Sequence, residues 1–177
     1  MFTKIDYLKR GNERQQRAYN AITHLRIMKD LADYKPVLCG TVPIEIDIEA
    51  SDLDIIFEVH DFTRFQELAI TLYGCMQEFK ISQYEIRNQP IIKANFKCKD
   101  YEFELFGQAQ PVQEQNAYLH MIIEHYILKE HPELKQPIIT LKKQGYKTEP
   151  AFCKVLGLEG EDPYLLLLEY GKNKGII

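Results

Sequence analysis

The sequence predicts an α/β protein: a mixed β-sheet with flanking helices, preceded by a helix and followed by a helical last third. Three observations predict it. Short runs with two-residue apolar periodicity fill the middle of the chain, and 3.6-residue periodicity lies on either side of them. Prolines and glycines mark the changes of period. The 177 residues suit one domain, 1–177, built as a helix-plus-sheet core over 1–110 and a helical part over 111–177.

The elements follow in order. Ala18, Ile22, Leu25 and Met28 stand at helical spacing within 12–34. Pro36 stops that helix, and residues 36–39 read as a short buried strand ending at Gly40. Leu53, Ile55, Phe57 and Val59 then alternate with Asp52, Asp54, Ile56 and Glu58, giving a strand with a carboxylate-bearing face. Asp61 caps a helix whose Phe62, Phe65, Leu68, Ala69, Leu72 and Met76 share one side. Further strands are expected at 81–87, 91–98 and 101–106, the last two joined by a tight turn at Lys99 and Asp100.

Beyond Pro111 the pattern is helical. Leu119, Ile122, Ile123 and Tyr126 form an apolar stripe, which puts His120 and Glu124 on the opposite side as an exposed pair or a pair facing the sheet. A second helix runs from about Glu133 to Gly145. Thr148-Glu149-Pro150 and Asp162-Pro163 each read as an N-cap with proline in the first turn. Helices are expected on one face of the sheet, with the last third packed against it or facing it as a small lobe.

Composition narrows the function. A net charge of −4 argues against a surface that grips extended DNA, though Lys142, Lys143 and Lys147 make a local basic cluster. No apolar run reaches the length of a signal peptide or membrane span, so the expected location is cytoplasmic. The four cysteines are far apart without a CxxC pair, which predicts reduced, mostly buried thiols and no structural zinc.

The chemistry concentrates in Leu38-Cys39-Gly40-Thr41 and Asp52-Leu53-Asp54-Ile55, separated by ten residues. Carboxylates at i and i+2 of a strand share a face, about 7 Å apart. They suit a hard divalent cation, Mg²⁺ or Mn²⁺, which prefers oxygen ligands. The small Gly40-Thr41 turn lets backbone N–H groups approach a phosphate, with the Thr41 hydroxyl as a further donor. A third carboxylate comes from Tyr101-Glu102-Phe103-Glu104-Leu105-Phe106, where burial of the aromatic face leaves both glutamates on the other. Glu104 is favoured over Glu102, being deeper in the strand and flanked by apolar residues. Glu45, Asp47 and Glu49 read as a polar loop or edge strand. Lys142, with Lys143 and Lys147, reads either as a solvated helix face or as a cluster that meets triphosphate oxygens or an acidic acceptor, and Tyr118 and Phe152 are placed for the core or for stacking a base.

An apolar residue, Gly-Ser or Gly-Gly, a gap of about ten and Asp-apolar-Asp-apolar is the signature of the polymerase-beta-like nucleotidyltransferase superfamily, and this pattern resembles it. The run "CGTVPIEIDIEASDLDI", with "FELFGQ", "QNAYLHMIIE" and "KKQGYKTEPAF", resembles an uncharacterised bacterial family placed in that superfamily. Thr41 departs from the usual serine and brings a methyl group toward the phosphate. The resemblance implies a nucleotidyltransferase-like sheet and transfer of a nucleoside monophosphate from an NTP to a small-molecule, RNA or protein acceptor. It also implies that Asp52 and Asp54 hold metal, that Glu104 activates the acceptor and that Gly40 and Thr41 hold the triphosphate. The alternative is a catalytically inactive nucleotide-binding or protein-interaction module of the same fold.

Overall fold

The computed structural model describes residues 2–177. Asn12 opens α1 (Glu13–His24) with a capping box: its side chain accepts from Gln15 N, and the Gln15 side chain accepts from Asn12 N. The expected single helix over 12–34 is instead broken. Arg26 adopts a left-handed backbone (φ 55°), after which α2 (Ile27–Asp30) and a 3-10 turn run on to Tyr34. This kink lets Ile22 and Ile27, both fully buried, enter the same core.

Five strands follow: β1 (Val37–Cys39), β2 (Leu53–Glu58), β3 (Gln77–Ile86), β4 (Gln89–Cys98) and β5 (Tyr101–Gln108). They form one mixed sheet in the order β1-β2-β5-β4-β3, in which only the β2–β5 pair is parallel. Between β2 and β3 lies α3 (Phe62–Tyr73), capped by Asp61, whose Oδ1 accepts from Arg64 N at 3.0 Å. The last third contains α4 (Asn116–Glu130), α5 (Lys135–Lys143), α6 (Thr148–Leu156) and α7 (Pro163–Asn173). Asp162 caps α7 as expected, whereas α6 is preceded by Lys147 without a side-chain cap.

Strand alternation sends side chains to two cores. Leu53, Ile55 and Phe57 of β2 pack with Phe103 and Leu105 of β5 against α1 and α3. Tyr73, Phe96 and Phe103 stack in sequence, each neighbouring pair 5.2 Å apart between ring centroids. On the opposite face Val37, Cys39 and Ile56 pack with Met121, Ile123, Ile127, Ile138 and Phe152 of the last third. The expectation of helices on one face is therefore corrected: both faces are covered, because Val37, Cys39, Ile56 and Phe106 give the carboxylate-bearing face an apolar patch on which the last third packs.

The reading of α4 is corrected too. Tyr126, assigned to its apolar stripe, is exposed, and His120 and Glu124 are buried. The helix is enclosed around most of its circumference, so its pattern lacks a clean polar side.

Candidate functional site

The sheet register builds the site. Asp54 lies opposite Glu104 across the parallel β2–β5 pair, Cys39 opposite Asp54 on one side, and Asn95 opposite Glu104 on the other. Side chains in one such row share a face. Asp52 stands one residue before β2, on the same side as Asp54. One carboxylate oxygen from each of Asp52, Asp54 and Glu104 lies within 4.8 Å of the others. Glu102, one step outward on β5, is exposed and lies outside this cluster.

These oxygens repel each other in a partly desolvated place. Asp54 is pushed up to about 8, first by burial and then by the charges of Asp52 and Glu104. Burial also raises Asp52. Three oxygens so close suit a hard divalent cation, which would remove the need for a proton on Asp54. Lys93 Nζ donates to Glu104 Oε2 at 2.8 Å, and Asn95 Nδ2 contacts the same oxygen at 3.4 Å.

Gly40 ends β1 in a left-handed conformation (φ 77°), and a Cβ there would collide with Asp54 Oδ2. The left-handed backbone itself favours glycine here, and a side chain would also displace the tip of the Asp54 carboxylate. Thr41 Oγ1 contacts Ser51 Oγ at 3.4 Å, and Ser51 Oγ accepts from Ile48 N at 2.9 Å.

The ten residues between the two halves of the motif are held by α1, which sequence reasoning missed. Arg14 Nε pairs with Asp47 Oδ2 at 2.7 Å, and its Nη2 donates to the carbonyls of Glu49 and Ser51 at 3.1 and 3.0 Å. Gln15 Nε2 donates to Val42 O at 3.0 Å. Asp47 is therefore an anchored residue beside the site, with only 9% of its side chain exposed. The alternation through Glu45 and Glu49 hid it, and a capping-box helix start next to Arg14 was the available signal.

The cluster opens into a cleft of about 620 Å³ between the sheet and the helical third. Its lining includes Gly40, Thr41, Lys142, Lys147, Glu124 and Glu149. Lys142, in the last turn of α5, is buried and lowered to about 8 by desolvation, against the pull of Glu124, Asp47 and Glu149. Lys143 is exposed and outside the lining. Glu124 is pushed well above the usual carboxylate range by burial and then by Glu149, and its Oε1 has no hydrogen-bond partner among the described residues. His120 Nε2–H donates to Tyr164 O at 3.0 Å while Nδ1 stands 3.4 Å from Glu149 Oε1. Phe152 is fully buried and Tyr118 packs on the second core, so both belong to the fold. A separate cavity of about 460 Å³ near Lys4, Lys35 and Val112 contains none of the three clustered carboxylates.

Residues 20–170 match a family described as a domain of unknown function, DUF4269. No curated protein matches the chain. Solved structures match its fold. The GLD-2/RNP-8 complex aligns at TM-score 0.56 and 16% identity, over 88% of this chain and 63% of that one. The polymerase core of TRAMP, an RNA surveillance complex, aligns at 0.54 and 14%, over 89% and 49%. The Cid1 poly(U) polymerase with MgGTP bound aligns at 0.53 and 14%, over 78% and 46%. The fold is thus nucleotidyltransferase-like, and the chain spans between 46% and 63% of the length of these neighbours.

Proposed function

The chain belongs to the DUF4269 family, and from that premise we propose that it is a metal-dependent nucleotidyltransferase, moving a nucleoside monophosphate from an NTP to a hydroxyl-bearing acceptor. The observation that carries this reading is the register of Asp54 on Glu104, which gathers three carboxylate oxygens within 4.8 Å beside Gly40 and Thr41. Asp52 and Asp54 would hold Mg²⁺ or Mn²⁺. Bound there, the ion would supply charge to the transferring phosphoryl group.

The chain's own residues would do the rest. Gly40 and Thr41 offer backbone N–H groups and a hydroxyl to the triphosphate, and Lys142 and Lys147 approach from the helical wall. Glu104 takes the proton of the acceptor hydroxyl, whose oxygen forms a bond to the α-phosphorus. The bond from that phosphorus to the β-phosphate bridging oxygen breaks, and pyrophosphate leaves. The acceptor is a small molecule, an RNA or a protein, and the setting is cytoplasmic.

One observation favours a second reading, a nucleotide-binding or protein-interaction module without turnover. The ammonium of Lys93 sits 2.8 Å from Glu104, on the carboxylate proposed to take the acceptor's proton. Thermal-shift titration with Mn²⁺ and each of the four NTPs, followed by pyrophosphate release, separates the two. An enzyme releases pyrophosphate, and Asp54→Asn abolishes that release even where an NTP still binds. NTP-dependent stabilisation without pyrophosphate supports the module, and no stabilisation by any NTP removes both readings.

A further inference from the structure

Arg87, at the tip of the β3–β4 hairpin, forms an ion pair with the helical third. Arg87 Nη2 donates to Asp162 Oδ2 at 2.7 Å, between residues 75 apart in the chain. Arg87 and Asn88 form a two-residue turn, both left-handed (φ 50° and 62°), of the kind that closes a tight hairpin. Every residue from Ser82 to Pro90 is exposed, and pairing of β5 with β4 begins only at Ile91. The tip therefore overhangs the sheet, with Ile86 lining the cleft.

The two ends of this contact are held unequally. Asp162 Oδ1 accepts from Tyr164 N and Leu165 N at 2.9 and 3.3 Å, capping α7. The carbonyl of Pro163 accepts from the Cys153 thiol of α6 at 3.3 Å, and that of Tyr164 accepts from His120 of α4. Asp162 thus belongs to a fixed corner where three helices meet. Arg87 belongs to an overhang fastened by an ion pair whose side chains are 46% and 36% exposed.

We propose that the β3–β4 tip is a strap across the cleft, latched by Arg87 on Asp162, whose release admits and discharges the ligand. An exposed pair of this kind contributes little and is screened by salt, so latched and free forms lie close in energy. The hairpin is the moving part and the corner of α4, α6 and α7 the fixed one. This assignment rests on the reading of the cleft as an NTP site.

The test uses Arg87→Cys with Asp162→Cys in a background where Cys75 and Cys98 are serine, because Cys75 is exposed and Cys98 half-buried. A short bis-methanethiosulfonate bridges the two thiols and is removed by reductant, so one protein serves as its own control. Association of Mn²⁺ with ATP, GTP, CTP or UTP is expected to slow tenfold or more in the bridged form and to recover on reduction. Arg87→Glu, which keeps the α7 cap, is expected to keep the wild-type melting temperature and to speed protease cleavage within 82–90 at least fivefold. Equal association rates in bridged and reduced protein overturn the strap and leave the NTP reading standing. If neither the wild type nor the reduced protein binds any NTP, that reading fails instead. That outcome removes the ligand role given to the strap, while unchanged cleavage of Arg87→Glu overturns the latch itself.

Discussion

Asp54 has much to gain from a cation, because it is more deeply desolvated than Asp52 and faces the charges of both Asp52 and Glu104. Its ionisation sits at about 8 in the folded protein against a reference of 3.8. Between those values the native state holds a proton that the unfolded chain has lost, so metal-free stability falls as pH rises through the window. Asn removes the penalty. Asp54→Asn is therefore expected to be more stable than the wild type by roughly 2–4 kcal/mol at pH 8 without metal, and equal to it near pH 4. Mn²⁺ should reverse the order at pH 8, since only the wild type gains a ligand. Urea denaturation at the two pH values, with and without Mn²⁺, reads this directly, and parallel pH curves would refute it. At this scale the sequence was informative, because Gly40, Thr41, Asp52 and Asp54 are separated by a recognisable gap. It did not reveal Lys93 on Glu104, since that contact depends on the β4–β5 register.

At the scale of elements, the site depends on a helix that contributes no ligand. Arg14 fixes the 42–51 loop through one carboxylate and two carbonyls, and Asp52 begins where that loop ends. Arg14→Ala would leave Asp47 largely buried without its cation and two carbonyls without their donor. Loss of one partner of a buried pair costs about 3–5 kcal/mol, and the partial exposure of Arg14 (19%) puts this case at about 2–4 kcal/mol. Mn²⁺ affinity should fall as well, because Asp52 loses the loop that positions it. Chemical denaturation and Mn²⁺ calorimetry on Arg14→Ala and Arg14→Lys test both parts. Lysine should recover little, having one charge centre where the guanidinium serves three acceptors. Legibility at this scale followed locality. The caps at Asp61 and Asp162 and the turn at Lys99 are written in adjacent residues, and all three form. The break at Arg26 and the burial of His120 and Glu124 are not, because core packing and the later residues Glu149 and Tyr164 decide them.

The whole molecule divides its tasks between two cores on opposite faces of one sheet. The core against α1 and α3 supports the strands that carry Asp54 and Glu104, whereas the core against α4 to α7 places Lys142 and Lys147 over them. Alternation within β2 made the first core readable. The second was not, because its sheet side consists of a few residues such as Val37, Cys39 and Ile56, and its helices carry charged groups inward. If the cleft holds metal and nucleotide as proposed, this division makes their binding separable. Phe152 lies wholly within the second core, and Phe152→Ala should cost about 3–5 kcal/mol by leaving a cavity under the helical wall. Below its lowered melting temperature, the variant should bind Mn²⁺ with nearly wild-type heat, since β2 and β5 are supported from the other face. It should lose most NTP-dependent stabilisation, because the lysines hang on the loosened wall. Phe57→Ala, in the first core, should weaken both together. Calorimetry with Mn²⁺ and thermal shifts with Mn²⁺ and NTP on the two variants distinguish these patterns. Equal loss of metal and nucleotide binding in Phe152→Ala would show that the helical third also shapes the carboxylate cluster, and the separation of roles would be wrong.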